Sequence, residues 1–435
     1  MENTRYPRVA LATLGCKVAQ YETEALREAF LADGFSETAE DADIVVVNTC
    51  TVTAEADRKC RQAIRRLARR HPRARILALG CYAQSHPDRV AALPGVAYVG
   101  GTAGKMKAVG VARALLSGET PHPIAVRPLE GEGYEPMAVS SAPRTRAYVK
   151  IVDGCDCRCS YCAIPAARGP VRSRPREEIL AEVTRLAEGG TREVVLTGIE
   201  TASYGRDRRD GYRLIDLLEE VDRLPVDRIR LGSLTPEVMK PDFIRRTAVL
   251  SHITPHFHLS MQSGSSRVLA GMRRRYNAKM AEEAIGNLRA AIPGVTLTCD
   301  MIVGFPGETD EDFLETLAFS RHARFLAMHV FAYSPRRGTP AADLAGQVSE
   351  EVKATRSAAL SALADEMTDG ILREASDKGV PLSVLVETVR GGIARGHTPA
   401  FLPVAFPAAG SVSGDIVTVL PTEVRDGTLL GILME

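Results

Sequence analysis

The chain has no tryptophan, and phenylalanine, tyrosine and tryptophan together make up only 5% of its 435 residues. Any stacking of bases must therefore rest on tyrosine, phenylalanine and arginine. It also lacks a dominant charge. Lysine and arginine number 55 against 54 aspartates and glutamates, a net +1, so no global field announces a nucleic-acid partner and an RNA site must be a local patch. Long apolar runs are missing too. Ile44 to Val47 falls far short of a membrane span, and Val9 to Leu14 is too brief for a signal-peptide core. These absences place the expected site of action in the cytoplasm. There, nine cysteines argue against a disulfide framework and for metal binding or catalysis. Zinc is a poor fit, because no second C-x2-C pair and no histidine partner is visible.

A chain of this length exceeds one compact core, so several domains are expected. The fold class read from the pattern is α/β in three parts. In residues 1–138, strand-like runs at Val9 to Leu14, Ala42 to Val47 and Ala74 to Leu79 each end at a cysteine, and helical segments Glu22 to Ala32 and Ala56 to Arg70 follow the first two. Alternation of this kind predicts a parallel α/β domain. A linker rich in Gly, Pro and Ser runs from Leu129 to Pro143. Residues 144–373 hold six strand candidates: Tyr148 to Val152, Glu193 to Thr197, Arg228 to Leu231, His256 to Ser260, Thr296 to Val303 and Ala327 to Tyr333. Helical patterns such as Glu177 to Glu188, Leu214 to Leu224 and Met280 to Ala290 lie between them, and the longest helix, Glu350 to Arg373, closes the region. Six βα units predict a partial (β/α)6 barrel. Residues 374–435 carry short β-rich runs (Ser383 to Val389, Leu402 to Phe406, Ile416 to Leu420, Thr428 to Leu433), which predict a small all-β barrel.

The strongest chemical signal is the loop Cys155 to Cys162, directly after the first barrel strand, where active-site loops belong. Cys155, Cys159 and Cys162 form C-x3-C-x2-C. Three thiolates in one short loop can hold three irons of a cubane and leave the fourth open to a ligand. The second signal is Cys16, Cys50 and Cys81. They are distant in sequence, yet each lies at the C-terminal end of its own strand. In a parallel sheet those ends form one edge, where ligands bind, so the three can converge on a second iron–sulfur cluster. Cys60 and Cys299 read as structural. Cys157 is an alternative ligand whose spacing to Cys159 is poor.

The loop from Cys155 resembles the radical S-adenosylmethionine (radical SAM) superfamily, and the likeness spans the middle region. It implies a [4Fe–4S] cluster that binds S-adenosylmethionine and cleaves it to a deoxyadenosyl radical. Tyr161, Gly198, Gln262 and the stretch Ile302 to Gly304 fall where that superfamily builds its cofactor pocket. Thr13 to Glu24, Asn48 to Thr53, Gly80 to Gln84, Ala167 to Arg174, Gln262 to Ser265, Asp300 to Thr309 and Tyr333 to Arg336 look like the methylthiotransferases. The β-rich tail is similar to the TRAM domain, an RNA-binding barrel. Lys17-Val18 and Thr51-Val52-Thr53 look like the branch acting on N6-threonylcarbamoyladenosine beside the anticodon. The chain departs from the family wording at Ala19, at Cys157 and through Gly198 to Ser203, without loss of a ligand.

The resemblance implies an enzyme that methylthiolates C2 of N6-threonylcarbamoyladenosine at position 37 of tRNA. It implies Cys16, Cys50 and Cys81 on one cluster and Cys155, Cys159 and Cys162 on the other. It also implies an anticodon stem-loop, a low-potential electron donor and a sulfur source as partners. Alternatives are action on isopentenyladenosine tRNA, action on a ribosomal protein, or a non-catalytic iron–sulfur RNA-binding protein. The threonylcarbamoyl group carries a carboxylate, so its pocket should supply a cation or hydrogen-bond donors. Lys17, Arg168 and Arg172 are candidates because they lie close in sequence to the cysteines. For the RNA backbone, Arg58, Lys59, Arg61, Arg65, Arg66, Arg69, Arg70, Arg73 and Arg75 crowd one segment with few balancing acids. The tail adds Arg390, Arg395 and His397, with Phe401 and Phe406 for stacking.

Overall fold

Six consecutive buried residues, Ile44 to Thr49, open the architecture: a strand apolar along its length needs cover on both faces. It is β3 of a wholly parallel sheet made of β1 (Arg8–Thr13), β2 (Ser36–Glu37), β3, β4 (Arg75–Gly80), β5 (Val96–Gly100) and β6 (Ile124–Ala125), in the order β2-β1-β3-β4-β5-β6. Helices α1 (Lys17–Ala32), α2 (Ala54–Arg70) and α3 (Cys81–Ser85) leave the C-terminal ends of β1, β3 and β4. The three expected strands are present, and β5 joins them unannounced. This computed structural model describes residues 6–141 and 145–434. The end of the expected linker, Pro143, and the boundary at Arg144 lie outside the described residues.

All six expected strands of the middle region form. They are β7 (Arg146–Asp153), β9 (Glu193–Gly198), β10 (Arg228–Leu231), β11 (His256–Gln262), β12 (Thr296–Val303) and β13 (Ala327–Ala332), with a two-residue β8 (Arg172–Ser173) paired antiparallel to β7. They make two sheets, β10-β9-β7-β8 and β11-β12-β13, joined by parallel bridges at Ile229–Ile253 and Leu234–Leu259. Strand alternation then decides the faces. Phe257, Leu259, Met261, Leu297, Cys299, Met301 and Val303 are fully buried in one core with helix residues such as Ile179, Val183 and Leu217. The intervening residues His256, His258, Thr298 and Asp300 face the other way, into the lumen. So do Glu193, Arg228 and Arg230, which share a face by register. A closed eight-stranded barrel fills its lumen with branched apolar side chains; here the lumen is polar, as suits a space that receives a ligand.

Beyond this region the helix Glu350–Asp377 runs four residues past the expected boundary at Arg373. The tail folds into five strands, β14 (Leu382–Arg390), β15 (Ile393–His397), β16 (Pro403–Pro407), β17 (Ile416–Arg425) and β18 (Thr428–Leu433), closed in the order β14-β15-β16-β18-β17. Val384, Val386, Val404, Phe406 and Leu429 fill it.

The tail also closes the lumen from below. Phe401, at φ 64°, stacks between His256 and His397 with ring centroids 4.6 and 4.4 Å away, and the Arg230 guanidinium lies 4.8 Å over it. Arg230 donates to the Pro399 carbonyl at 3.3 Å, and Arg228 donates to Ser383 Oγ at 2.8 Å. On the N-terminal side, α1 packs on β7, while Arg336, just past β13, donates to Thr51 and Asp57, each at 2.7 Å. Residues flanking the N-terminal sheet thus meet the open barrel at β7 and just past β13.

Candidate functional site

The two cysteine sets are placed by glycines. Gly15 has φ 123°, and a Cβ there would stand 2.9 Å from Cys50 Cβ and 3.1 Å from its Sγ, so the loop bearing Cys16 lies directly on Cys50. Gly80 has φ 98°, and a Cβ would meet the Thr49 carbonyl at 2.6 Å. Thr49 and Gly80 are register partners, which brings Cys50 and Cys81 to the same sheet edge. The Cys60 thiol donates to the Cys50 carbonyl at 3.3 Å and accepts from the Cys50 amide at the same distance, a structural role as expected. Burial pushes the Cys50 thiol up to about 12 and raises that of Cys81. Iron binding must therefore displace protons that these sites would otherwise keep.

The second loop turns under itself at Gly154, where a Cβ would collide with the Pro170 carbonyl at 1.8 Å. Cys159 is buried and accepts from Arg274 Nη1 at 3.2 Å; Cys81 likewise accepts from Arg168 Nε at 3.0 Å. Each set thus has one arginine, the half-buried Arg274 and the fully buried Arg168, donating to one sulfur. Burial pushes Cys162 up to about 12. Among the described residues neither set closes to within 4.8 Å as a single-ion site would. A cubane, whose three protein-held irons sit at separate corners, asks for that wider spread. The donor sets, three sulfurs each with no competing imidazole, fit two iron–sulfur clusters. Cys157 is the neighbour of Cys155, its amide 3.4 Å from that Sγ.

Of the residues expected at S-adenosylmethionine, Tyr161 and Ile302 pack on one apolar cluster with Phe305 and Tyr333. Gln262 ends β11 at φ 70°, a strained position for a residue with a side chain. Gly198 and Gly304 have steric reasons to be glycine: a Cβ would lie 2.3 Å from Val152 Cγ1 and from Lys353 Cγ respectively. Sequence reasoning missed Glu200. It lies with Cys155 and Cys157 within 4.8 Å, its Oε1 is buried without a partner among the described residues, and burial followed by the Cys157 charge raises it to about 7. Its place two residues after Gly198 was the available signal. Arg274 was missed as well.

The three candidate substrate cations separate sharply. Arg168 is fully buried and paired: it donates to Glu22 at 2.5 and 3.1 Å and to Asp153 at 3.3 Å, besides Cys81. Arg172 is buried, with Nη2 3.7 Å from Asp153. Arg168 is thus engaged by both carboxylates of the joint, and Arg172 lies beside one of them. Lys17 is half-buried, beside Cys16, and makes no hydrogen bond or ion pair among the described residues. Burial, then the charges of Arg230 and Arg146, lowers its pKa, against the opposing pull of Asp300. Those three charged residues share the lumen face of their strands, so Lys17 lies within electrostatic reach of the lumen.

On α2, Arg58, Lys59, Arg65, Arg66, Arg69 and Arg70 are exposed, whereas Asp57, Cys60, Ala63 and Ile64 face inward. Arg390 and Arg395 of the tail are exposed as well. The tail aromatics are not available for stacking on bases: Phe406 is in the small barrel's core and Phe401 is engaged under the lumen. No described helix is long and apolar enough to cross a membrane.

Comparison with known proteins agrees with this geometry. The radical SAM superfamily matches residues 149–320, and a family described as uncharacterized protein family UPF0004 matches residues 8–101. The chain is 39% identical over 419 residues to threonylcarbamoyladenosine tRNA methylthiotransferase MtaB of Bacillus subtilis, covering 94% of this chain and 93% of that protein. It is 35% identical to the protein of the same name from Chlamydia pneumoniae, covering 97% of each. Among solved structures, a radical S-adenosylmethionine methyltransferase, TsrM, from Kitasatospora setae aligns with TM-score 0.57 at 16% identity over 90% of this chain and 81% of that one, which shows a shared fold. With both cysteine sets inside regions shared with such relatives, the chain belongs to the radical SAM methylthiotransferase family, in its MtaB branch.

Proposed function

We propose that the chain methylthiolates C2 of N6-threonylcarbamoyladenosine at position 37 of tRNA, with the base held in the polar lumen between the two cysteine sets. The observation that carries this reading is Lys17 beside Cys16, without a partner among the described residues and within reach of a lumen walled by charged and polar side chains. An isopentenyl group, wholly apolar, would gain nothing from such walls and would strand their polar groups. Two [4Fe–4S] clusters and S-adenosylmethionine supply, when bound, the radical, sulfur and methyl chemistry. Cys16, Cys50 and Cys81 hold one cluster, and Cys155, Cys159 and Cys162 the other. Tyr161, Gly198, Gln262, Ile302 and Gly304 shape the S-adenosylmethionine pocket, with Glu200 as a carboxylate for its ammonium group. Arg274 and Arg168 orient one sulfur each, and Phe401 seals the lumen floor from water.

In this reading residues 1–138, 144–373 and 374–435 are the methylthiotransferase, radical SAM and RNA-binding units. The partners are an anticodon stem-loop, a low-potential electron donor and a sulfur source, in the cytoplasm. The test is turnover by the reconstituted enzyme of one anticodon-loop RNA carrying threonylcarbamoyl-, isopentenyl- or unmodified adenosine. Product is expected from the first alone; preferential turnover of the isopentenyl RNA overturns the assignment.

A further inference from the structure

The lumen wall holds three convergent side chains, of which only Asp300 falls within a stretch that resembles the family. His258 on β11, Asp300 on β12 and His329 on β13 each offer a ligand atom, and these atoms all lie within 4.8 Å of one another. Register produces the grouping: Asp300 pairs with His329 across β12 and β13, and both project from the lumen face. His258 is already engaged on both nitrogens, with Nδ1 2.9 Å from Thr298 Oγ1 and Nε2 3.1 Å from Asp300 Oδ2. His329 makes no hydrogen bond among the described residues and is exposed to the lumen. Two residues further along the same face of β13, a rise of about 7 Å, stands Phe331. It is an aromatic residue 42% exposed, in register with Ile302, which packs on the same apolar cluster as Tyr161 of the cysteine loop. From the cysteine loop downward the wall is therefore apolar, then aromatic, then polar, and the Lys17 ammonium group, without a partner among the described residues, feels the charge of Asp300.

Two histidines and a carboxylate are also a donor set for a divalent cation. The surroundings oppose that occupant. The charges of Arg230 and Arg146 as well as that of Asp300 reach Lys17, and both His258 nitrogens already have protein partners. The positive charge left over calls for an anion with hydrogen-bonding neighbours.

We propose that Lys17, Asp300 and His329 form the subsite for the N6 substituent of the substrate adenine, an amino-acid-derived group carrying a carboxylate and N–H or O–H donors, with Phe331 backing the ring. Lys17 pairs with the carboxylate, Asp300 accepts from the substituent's N–H or hydroxyl, and His329 hydrogen-bonds its remaining oxygen. His258 positions Asp300. This rests on the substrate reading given above and adds the residues that enforce it.

The test is equilibrium binding of anticodon stem-loop RNAs to the full, reconstituted chain without reductant, read by fluorescence anisotropy. Three RNAs are compared, with the threonylcarbamoyl group, its carboxamide analogue, or unmodified adenosine. Wild type is expected to favour the carboxylate RNA over the carboxamide by about tenfold or more, the scale of a charged hydrogen bond. Lys17→Met should bring that ratio near one, weakening the carboxylate RNA far more than the unmodified RNA, and Lys17→Arg should restore part of it. Asp300→Asn and His329→Ala should each weaken the threonylcarbamoyl RNA selectively, at wild-type iron content. A Lys17→Met protein that keeps the wild-type ratio overturns the subsite alone. A wild type that prefers isopentenyl RNA overturns the substrate reading with it. One tightly bound zinc beyond the cluster iron, lost in His329→Ala with RNA preference unchanged, shows a metal site instead and also overturns the proposal.

Discussion

At the scale of single residues, the proposed function gives the two cysteine sets separable duties. Cys50→Ala should leave reductive cleavage of S-adenosylmethionine measurable while abolishing methylthio product, and Cys159→Ala should abolish both; quantifying deoxyadenosine and modified nucleoside together checks this. The arginines behind the sulfurs give a finer test. Arg274 also donates to the Ser260 carbonyl at 2.9 Å and lies 5.0 Å over the Tyr276 ring, so its place is held from three sides. A donor to a cluster sulfur favours the reduced, more negative state. Arg274→Met should therefore move the midpoint potential of the radical SAM cluster downward in an electron-paramagnetic-resonance titration. An unchanged potential would reduce Arg274 to a strut for Tyr276. Arg168 offers no such clean variant, because removing it strips Glu22 and Asp153 of a partner as well as Cys81.

Between elements, the decisive contact is the ionic knot joining α1 to β7. Glu22 meets Lys105, Lys150 and Arg168, all buried, and Lys150 meets Asp153 at 2.6 Å. Glu22→Gln leaves buried cations short of a counter-charge and should cost roughly 3–5 kcal/mol, seen as a lower thermal midpoint. Burial works to raise Glu22 and Asp153, but Arg168 with the two lysines, and Lys150 with Arg168, outweigh it. Glu22 ends well below its ordinary value and Asp153 at about 2. A depressed carboxylate stabilises above its unfolded pKa and loses that contribution as pH falls through the folded one. For Asp153 the loss runs from its ordinary 3.8 down to about 2. Near-ultraviolet circular dichroism should accordingly hold steady to about pH 4 and decay below it; an onset above pH 5 would assign acid sensitivity elsewhere.

The same knot explains what the sequence concealed. Apolar runs ending in cysteine made β1, β3 and β4 legible, and all six barrel strands carried enough apolar residues to be seen. β15 was missed because only Ile393 and Ala394 interrupt a polar stretch, and closure of the small barrel supplies its partners. Proximity to Cys162 suggested Arg168 for substrate, but its neutralising partner Glu22 is 146 residues away in sequence. The lumen group of His258, Asp300 and His329 lay in plain alternation along three strands. Nothing local shows that such a polar face looks onto an enclosed space rather than onto solvent.

For the whole molecule, the proposed function requires RNA to reach a lumen with tail below and the N-terminal unit beside it. The exposed arginines of α2 and those of the tail are suited to phosphates, not to base edges. Changing Arg65, Arg66, Arg69 and Arg70 to Gln should weaken stem-loop RNAs alike whatever the base modification. The salt dependence of log K should flatten by about 0.7–0.9 per contact removed. An unchanged slope would assign this helix face to solvent. Phe401 carries a different implication. Its ring belongs to the tail, the His256 and Arg230 that grip it belong to the barrel, and its φ of 64° is tolerated only in that grip. The tail is thus no interchangeable cartridge. A hybrid enzyme given a relative's tail would inherit a loop shaped for another socket, and recombination between family members should succeed only at crossovers that carry plug and socket across together.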